Sequence, residues 1–158
     1  MEKKHIYLDD LRTPIEEGWI VVRNYDEFVE KIKEIGLNNI ETISLDHDLG
    51  DTAMEEYFNN VAPNYQLNYD NIKEKTGLDC AKWLINYYFE NRLQIPHPTE
   101  EGVFIDNPFQ KFVFPTVYTH SANPIGSGNI TGYLNNFFKN CRQPQTCIRV
   151  QIKHTIKD

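Results

Sequence analysis

The chain has 158 residues, of which 40% are hydrophobic and 13% aromatic, and its formal net charge is −7. This length supports one hydrophobic core, so we expect a single domain over residues 1–158. No apolar run is long enough to span a membrane, and the start of the chain lacks the apolar segment of a secretory signal, so we expect a soluble, cytoplasmic protein without a membrane partner. The excess of acidic residues excludes a long nucleic-acid tract as a ligand, and any bound anion must be small.

Two apolar runs near the start predict buried strands, namely "HIYLDD" (residues 5–10) and "WIVVR" (residues 19–23). The connection between them contains proline and glycine and is too short for a full helix, so we expect a loop or a single helical turn. The next segment, "YDEFVEKIKEI" (residues 25–35), places apolar side chains at helical spacing and is followed by a glycine. It therefore predicts the first helix.

The remaining segments continue the alternation of strands and helices. "ETISL" predicts the third strand, "TGLDCAKWLINYYFE" a second helix, and the part of "FQKFVFPTVYTH" after its proline the fourth strand. A loop that becomes helical near Asn129 follows. In "TCIRVQIKHTI", Ile148, Val150 and Ile152 alternate with polar residues, which predicts a fifth, edge-like strand with these three side chains inward.

This order predicts an α/β fold with an open, mostly parallel five-stranded sheet in the order 2-1-3-4-5. Two long connections interrupt it, one after strand 3 (residues 51–75) and one before strand 4 (residues 91–110). Connections of this length are functional lids or mobile segments. In the first of them, Tyr57, Tyr65 and Tyr69 either cover a site and stack on a base or pack the segment onto the body of the domain.

Polar residues follow three of the predicted strands, and ligands of such sheets bind outside the carboxyl ends of the strands. Any single aspartate there is as readily explained by hydrogen bonds to loop amides. Their coincidence at three strand ends favours a site. The residues are Asp9 and Asp10 after strand 1, Asp46, His47 and Asp48 after strand 3, and Thr119, His120, Ser121 and Asn123 after strand 4.

The carboxylates predict a cation site, because clustered aspartates in a cleft need a proton or a cation to offset their repulsion. Asp9, Asp10 and Asp46 are candidate ligands of Mg²⁺ or another divalent cation, which prefers carboxylate oxygens. Arg12 offers a planar donor fork to a phosphate, although a salt bridge to Asp9 or Asp10 explains it equally well. With Arg12, Ser121 and Asn123 in the loop after strand 4 are candidate substrate-binding residues.

The histidines predict acid–base chemistry on a phosphoester. Carboxylates beside a histidine favour its charged form, and a histidine that titrates near neutrality is suited to proton transfer. His47 and His120, with Asp46 and Asp48, are therefore the candidate catalytic residues, one histidine as base and the other as acid. Arg12 would then stabilise the charge that develops on the phosphate.

Five strings in this order, "LDDLRTP", "WIVVRNYDEF", "SLDHDLG", "TGLDCAKWL" and "THSANPIGSGNI", resemble the cyclic-phosphate processing receiver domains. The resemblance runs from about Ile6 to Leu134. It implies a receiver-like (flavodoxin-like) three-layer sandwich. It also implies an enzyme, a phosphoesterase that acts on cyclic nucleotides or on the 2′,3′-cyclic phosphate ends of RNA.

By this resemblance, Asp9 and Asp10 match the acidic pair of receivers, Asp46 matches the aspartate that ordinary receivers phosphorylate, and Thr119 or Ser121 matches the hydroxyl after strand 4. The chain departs from ordinary receivers in its paired histidines and in having only Lys153 as a loose match to the lysine after strand 5. Two alternatives stay open: a pseudo-receiver that binds a nucleotide or a protein without turnover, and a response regulator phosphorylated at Asp46.

Overall fold

The computed structural model describes residues 2–91 and 114–156. Its strands are β1 (Lys4–Leu8), β2 (Arg12–Pro14), β3 (Trp19–Val22), β4 (Ile40–Leu45), β5 (Thr116–Thr119), β6 (Ile148–Arg149) and β7 (His154–Ile156). Its α-helices are α1 (Tyr25–Ile35), α2 (Asp51–Glu56), α3 (Ala62–Asn64), α4 (Gly77–Asn91) and α5 (Pro124–Asn140). A π-helical segment (Tyr57–Val61) joins α2 to α3, and Leu37–Asn39 and Tyr69–Asn71 form 3₁₀ turns. None of the described helices is long and apolar enough to cross a membrane.

Five strands form one parallel sheet in the order β3-β1-β4-β5-β6. When β2, which lies outside this sheet, is set aside, the order is the predicted 2-1-3-4-5. The receiver-like α/β fold with a parallel sheet is therefore confirmed. The order leaves β1, β4 and β5 side by side in the middle of the sheet, so the loops that follow these three strands meet at one edge.

The two faces of the sheet differ. Ile6 and Leu8 of β1 belong to the main hydrophobic core, together with buried side chains of α1, α4 and α5. Tyr7 points to the other face, where Ser44 of β4 and Tyr118 of β5 are its neighbours in register. Within the described residues no long helix covers this second face, and we call it the open face.

Helix boundaries follow from capping side chains. The side chain of Asn24 accepts a hydrogen bond from Glu27 N at the start of α1, which ends before Gly36 with its φ of 87°. α5 begins at Pro124, earlier than the predicted start near Asn129. Asn123 caps it by accepting from Gly126 N, and proline is favoured in the first turn because its missing N–H is not needed there.

The predicted fifth strand is wrong in part, because it is broken into two short strands. β6 pairs with β5 and ends after Arg149, whereas β7 pairs antiparallel with β2, Thr13 opposite Thr155. Ile148 is 50% exposed and does not point inward. We call the β2–β7 pair the ribbon. It also replaces the loop or helical turn expected between the first two sheet strands.

The connection after β4 is folded. The buried carboxylate of Glu56 accepts hydrogen bonds from the side-chain amides of Asn60 and Asn71 and from the backbone N–H of Asn68. These bonds join α2 to the 3₁₀ turn at Tyr69–Asn71 and hold the segment closed on itself. The predicted connection before β5 lies largely outside the described residues.

Candidate active site

The ends of β1, β4 and β5 extend their pairing by one residue into the loops. Asp46 N donates to Leu8 O at 2.9 Å, and His120 N donates to Leu45 O at 3.0 Å. These bonds place the loop that begins with Asp46 between the loop that begins with Asp9 and the loop that begins with His120. The predicted convergence of the three groups at one edge of the sheet is thus observed.

Asp9 links two of these loops through one buried carboxylate. Its Oδ1 accepts from the backbone N–H groups of Leu11 and Arg12, at 2.9 and 2.7 Å. Its Oδ2 accepts from Arg12 Nε at 2.7 Å and from His120 Nε2 at 3.0 Å. Burial alone would raise the pKa of Asp9, but the hydrogen bonds from His120, Arg12 and Leu11 together hold it below its ordinary value. Asp9 is therefore ionised at neutral pH.

His120 is fixed on the open face. Its ring stacks on Tyr7 with centroids 4.2 Å apart, and Nδ1 lies 2.7 Å from Ser44 Oγ. Because the ionised Asp9 can only accept, we assign the proton of the neutral ring to Nε2, so that Nδ1 accepts from the Ser44 hydroxyl. Burial lowers the pKa of His120 despite the charge of Asp9. The imidazole is therefore neutral at neutral pH.

The other two carboxylates of the cluster are harder to ionise. Burial and the charge of Asp9 raise the pKa of Asp46 well above its ordinary value, and the same two causes raise the pKa of Asp10 to about 6. Asp46 Oδ1 accepts from His47 N at 2.8 Å and lies 3.4 Å from Arg12 Nη2. Arg12 thus lies between Asp9 and Asp46 and offsets part of their charge.

The same carboxylates fit a divalent cation by composition and spacing. Oxygens of Asp9, Asp10 and Asp46 lie within 4.8 Å of one another. Ligands on opposite sides of Mg²⁺ are about 4.2 Å apart, so the spacing of these oxygens is close to that of a divalent-cation site. Asp9 already accepts four hydrogen bonds, so Asp10 and Asp46 have more free oxygen lone pairs to offer.

His47 lies apart from His120, against α5. Its Nδ1 is 2.6 Å from Asp48 Oδ1, and its Nε2 is 2.9 Å from the hydroxyl of Tyr69. That hydroxyl also accepts from the side chain of Asn129 at 2.9 Å. The two predicted catalytic histidines therefore have separate partners, His47 on the helix side of the sheet and His120 on the open face.

The polar side chains after β5 form hydrogen bonds within the protein. Asn123 is fully buried, and while its Oδ1 caps α5 its Nδ2 donates to Asp48 Oδ1 at 3.3 Å. Ser121 Oγ accepts from Asn123 N, and Thr119 Oγ1 donates to Leu45 O. In this conformation Asn123 holds Asp48 and the start of α5 rather than facing a ligand.

A pocket of about 750 Å³ opens beside His120 on the open face. Arg12, His120 and Ser121 line it together with residues 149–154, which run from the end of β6 to the start of β7. Sequence reasoning missed Tyr7, Ser44 and Arg149. The first two lie inside predicted strands, where the pattern indicates only burial, and Arg149 reaches the pocket because β6 ends there.

Comparison with known proteins identifies a family for the part of the chain that contains β1 and β4. A family model described as the cyclic-phosphate processing receiver domain matches residues 4–100, more than half of the chain. The match includes the "DDLR" and "DHD" strings but ends before His120, so the resemblance expected up to Leu134 is shown only to residue 100. No curated protein and no solved structure gives a significant match. The chain belongs to the cyclic-phosphate processing receiver domain family.

Proposed function

We propose that the protein hydrolyses a small cyclic phosphodiester, either a cyclic nucleotide or the 2′,3′-cyclic end of an RNA. One observation carries the proposal: a single oxygen of Asp9 accepts from both Arg12 and His120, and both of these side chains line the same pocket. A guanidinium and a neutral imidazole are thereby held together. The family description supports the choice of a cyclic phosphate as the substrate.

In the proposed reaction, water attacks phosphorus, a new P–O bond forms and the bond to one sugar oxygen breaks. His120 takes the proton of the attacking water at Nδ1, after the Ser44 hydroxyl turns away, and the ionised Asp9 stabilises the resulting imidazolium. Arg12 donates hydrogen bonds to the phosphate oxygens as negative charge develops on them.

The leaving sugar oxygen needs a proton, and two groups are candidate donors. Asp10 is only partly buried and has a pKa of about 6, which allows it to carry a proton near neutral pH. His47, paired with Asp48, would act once Tyr69 moves off its Nε2. A divalent cation held by Asp9, Asp10 and Asp46 would neutralise charge on the phosphate when bound. Asp10 would then be ionised, and His47 would be the proton donor.

A binding module without turnover is the second candidate. Every ring nitrogen of His47 and His120 already has a partner within the protein, as expected of histidines that hold a structure together. Phosphorylation at Asp46 is less well supported. That reaction needs an ionised, accessible carboxylate, and Asp46 is 5% exposed with a raised pKa. Among the described residues, no ion pair or hydrogen bond joins Lys153 to Asp46.

The test is turnover of 2′,3′- and 3′,5′-cyclic nucleotides, with and without Mg²⁺ or Mn²⁺. We expect hydrolysis to fall by about 10²-fold or more in His120→Ala, because general acid–base groups contribute on this order. His5→Ala serves as the matched control, because His5 lies in β1 at the opposite end of the sheet. Tight binding of a cyclic nucleotide without product formation would refute the proposed hydrolysis and support the binding module.

A further inference from the structure

The pocket is basic, although the protein as a whole is acidic. Arg12, Arg149 and Lys153 are among its lining residues, and no carboxylate of the described residues is among the lining side chains. The formal net charge of the whole chain is −7. Cationic groups gathered in one concave site of an acidic protein create a local field that favours an anion.

Two of these cations have no carboxylate to neutralise them. Arg149 Nε donates to Ser121 O at 3.0 Å and Nη2 donates to Ala122 O at 3.2 Å, which fixes the guanidinium and leaves Nη1 for another acceptor. Neither Arg149 nor Lys153 lies within ion-pair distance of an acidic side chain in residues 2–91 and 114–156. Their charges are available to a ligand.

An independent observation comes from Tyr7, which lines the same pocket. Its hydroxyl is buried and has no hydrogen-bond partner among the described residues. Buried polar groups without a partner are rare in folded proteins, and each costs free energy. A ligand oxygen in the pocket would give this hydroxyl the acceptor that the protein does not supply.

We propose that Arg149, Lys153 and the Tyr7 hydroxyl form a second anion subsite in this pocket, which binds a phosphate group that does not react. The preferred substrate is then a cyclic phosphodiester that carries a further phosphate monoester, such as a 5′-phosphate. The pocket is within the 300–1,000 Å³ range of small-molecule sites and accommodates both groups. The choice of substrate rests on the proposed function, whereas the anion subsite itself does not.

The kinetic test compares a nucleoside 2′,3′-cyclic phosphate with the same molecule bearing a 5′-phosphate. We expect the 5′-phosphate to lower KM at least tenfold in the wild-type protein, and we expect this ratio to fall below about threefold in Lys153→Ala and in Arg149→Ala. Lys33→Ala removes the same charge from the exposed side of α1 and should keep the wild-type ratio. Equal KM values for the two substrates in the wild type would overturn the subsite.

A binding test separates this proposal from the proposed function. A nucleoside 5′-monophosphate without a cyclic phosphate is titrated into the wild type, Lys153→Ala and Tyr7→Phe by calorimetry. We expect the wild type to bind the monophosphate, and both variants to bind it at least fivefold more weakly. Thermal unfolding of Tyr7→Phe should show no loss of stability, because the hydroxyl that has been removed had no hydrogen-bond partner. This result supports the subsite even if no cyclic phosphate is hydrolysed. Absence of binding to the wild type refutes it.

Discussion

Asp9 determines the protonation of the residues around it. Its carboxylate is ionised because four donors surround it, and burial together with this negative charge makes both Asp10 and Asp46 harder to ionise. The same charge holds the proton of His120 on Nε2. Three neighbouring aspartates thus differ in pKa because of where hydrogen-bond donors lie, and residue type alone does not distinguish them.

Replacing Asp10 by asparagine should stabilise the protein above pH 6. The pKa of Asp10 is raised from 3.8 to about 6, so the folded state binds this proton more tightly than the unfolded state. The contribution of Asp10 to the stability of the wild type therefore falls as the pH rises from about 4 to 6, and asparagine cannot ionise. A pKa shift of this size corresponds to a change of about 3 kcal/mol in the free energy of unfolding. Because Asp10 is partly exposed, we expect Asp10→Asn to raise that free energy by about 1–2 kcal/mol.

The measurement is the free energy of unfolding by urea at pH 4, 6 and 8. The gain of Asp10→Asn over the wild type should be larger at pH 8 than at pH 4. Asp26→Asn, on the exposed first turn of α1, removes the same formal charge and is the control. A difference between Asp10→Asn and wild type that does not change with pH would contradict the raised pKa of Asp10.

At the scale of elements, α5 and α4 approach the site loops at glycines. A Cβ built on Gly126 would overlap the ring of His47, and one built on Gly77 would overlap the backbone carbonyl of Asp46. Gly77 N also donates to His47 O at 2.9 Å. The absence of a side chain at the start of each helix therefore allows the "DHD" loop to lie against both of them.

Gly126→Ala and Gly128→Ala form a matched pair on the first turns of α5. We expect Gly126→Ala to destabilise the fold by about 1–3 kcal/mol, because the added methyl group forces the buried His47 ring to move. A Cβ added at Gly128 would meet no other atom within 4 Å outside its own helix backbone, so alanine there should stabilise the helix by about 0.5–1 kcal/mol. Thermal and urea unfolding measure both. Equal effects of the two substitutions would contradict the close contact between α5 and His47.

Sequence patterns are sufficient where an element is defined by its own residues. α1 is predictable because Phe28 and Ile32 have helical spacing and a glycine follows the helix. The start of α5 is missed because its glycines resemble a loop, although Asn123 followed by proline is a capping signal. The ribbon has no local signal, since Thr13 pairs with Thr155. Likewise, Ser44 becomes a partner of His120 only through the register of β4 and β5.

At the scale of the whole molecule, a basic pocket is surrounded by an acidic protein. Such a distribution suits one or two phosphate groups and disfavours a long phosphate backbone. The earlier expectation that a long nucleic-acid tract is not a ligand stays a prediction. It can be tested through the salt dependence of binding, because the number of counterions released reflects the number of phosphates that a protein neutralises.

A 20-nucleotide RNA with a 2′,3′-cyclic end should bind with a shallow salt dependence. Each phosphate of a single strand that is neutralised contributes about −0.7 to the slope of log K against log salt, so contacts with two or three cations predict a slope of about −1.5 to −2. Fluorescence anisotropy between 50 and 300 mM salt measures it, with a dinucleotide of the same end as the control. A slope beyond about −4 for the longer RNA would indicate an extended binding surface.

The ribbon forms part of the pocket, and its strand β7 is short and exposed. β7 has only three residues, all of them exposed, and it pairs with residues near the other end of the chain. Short, exposed pairing of this kind opens locally at low cost in free energy. A ligand that contacts Lys153 binds only the closed form, so its apparent affinity includes the fraction of molecules in which the ribbon is paired. Hydrogen exchange at Thr155 should therefore slow on binding, and ligand affinity should rise when the ribbon is stabilised.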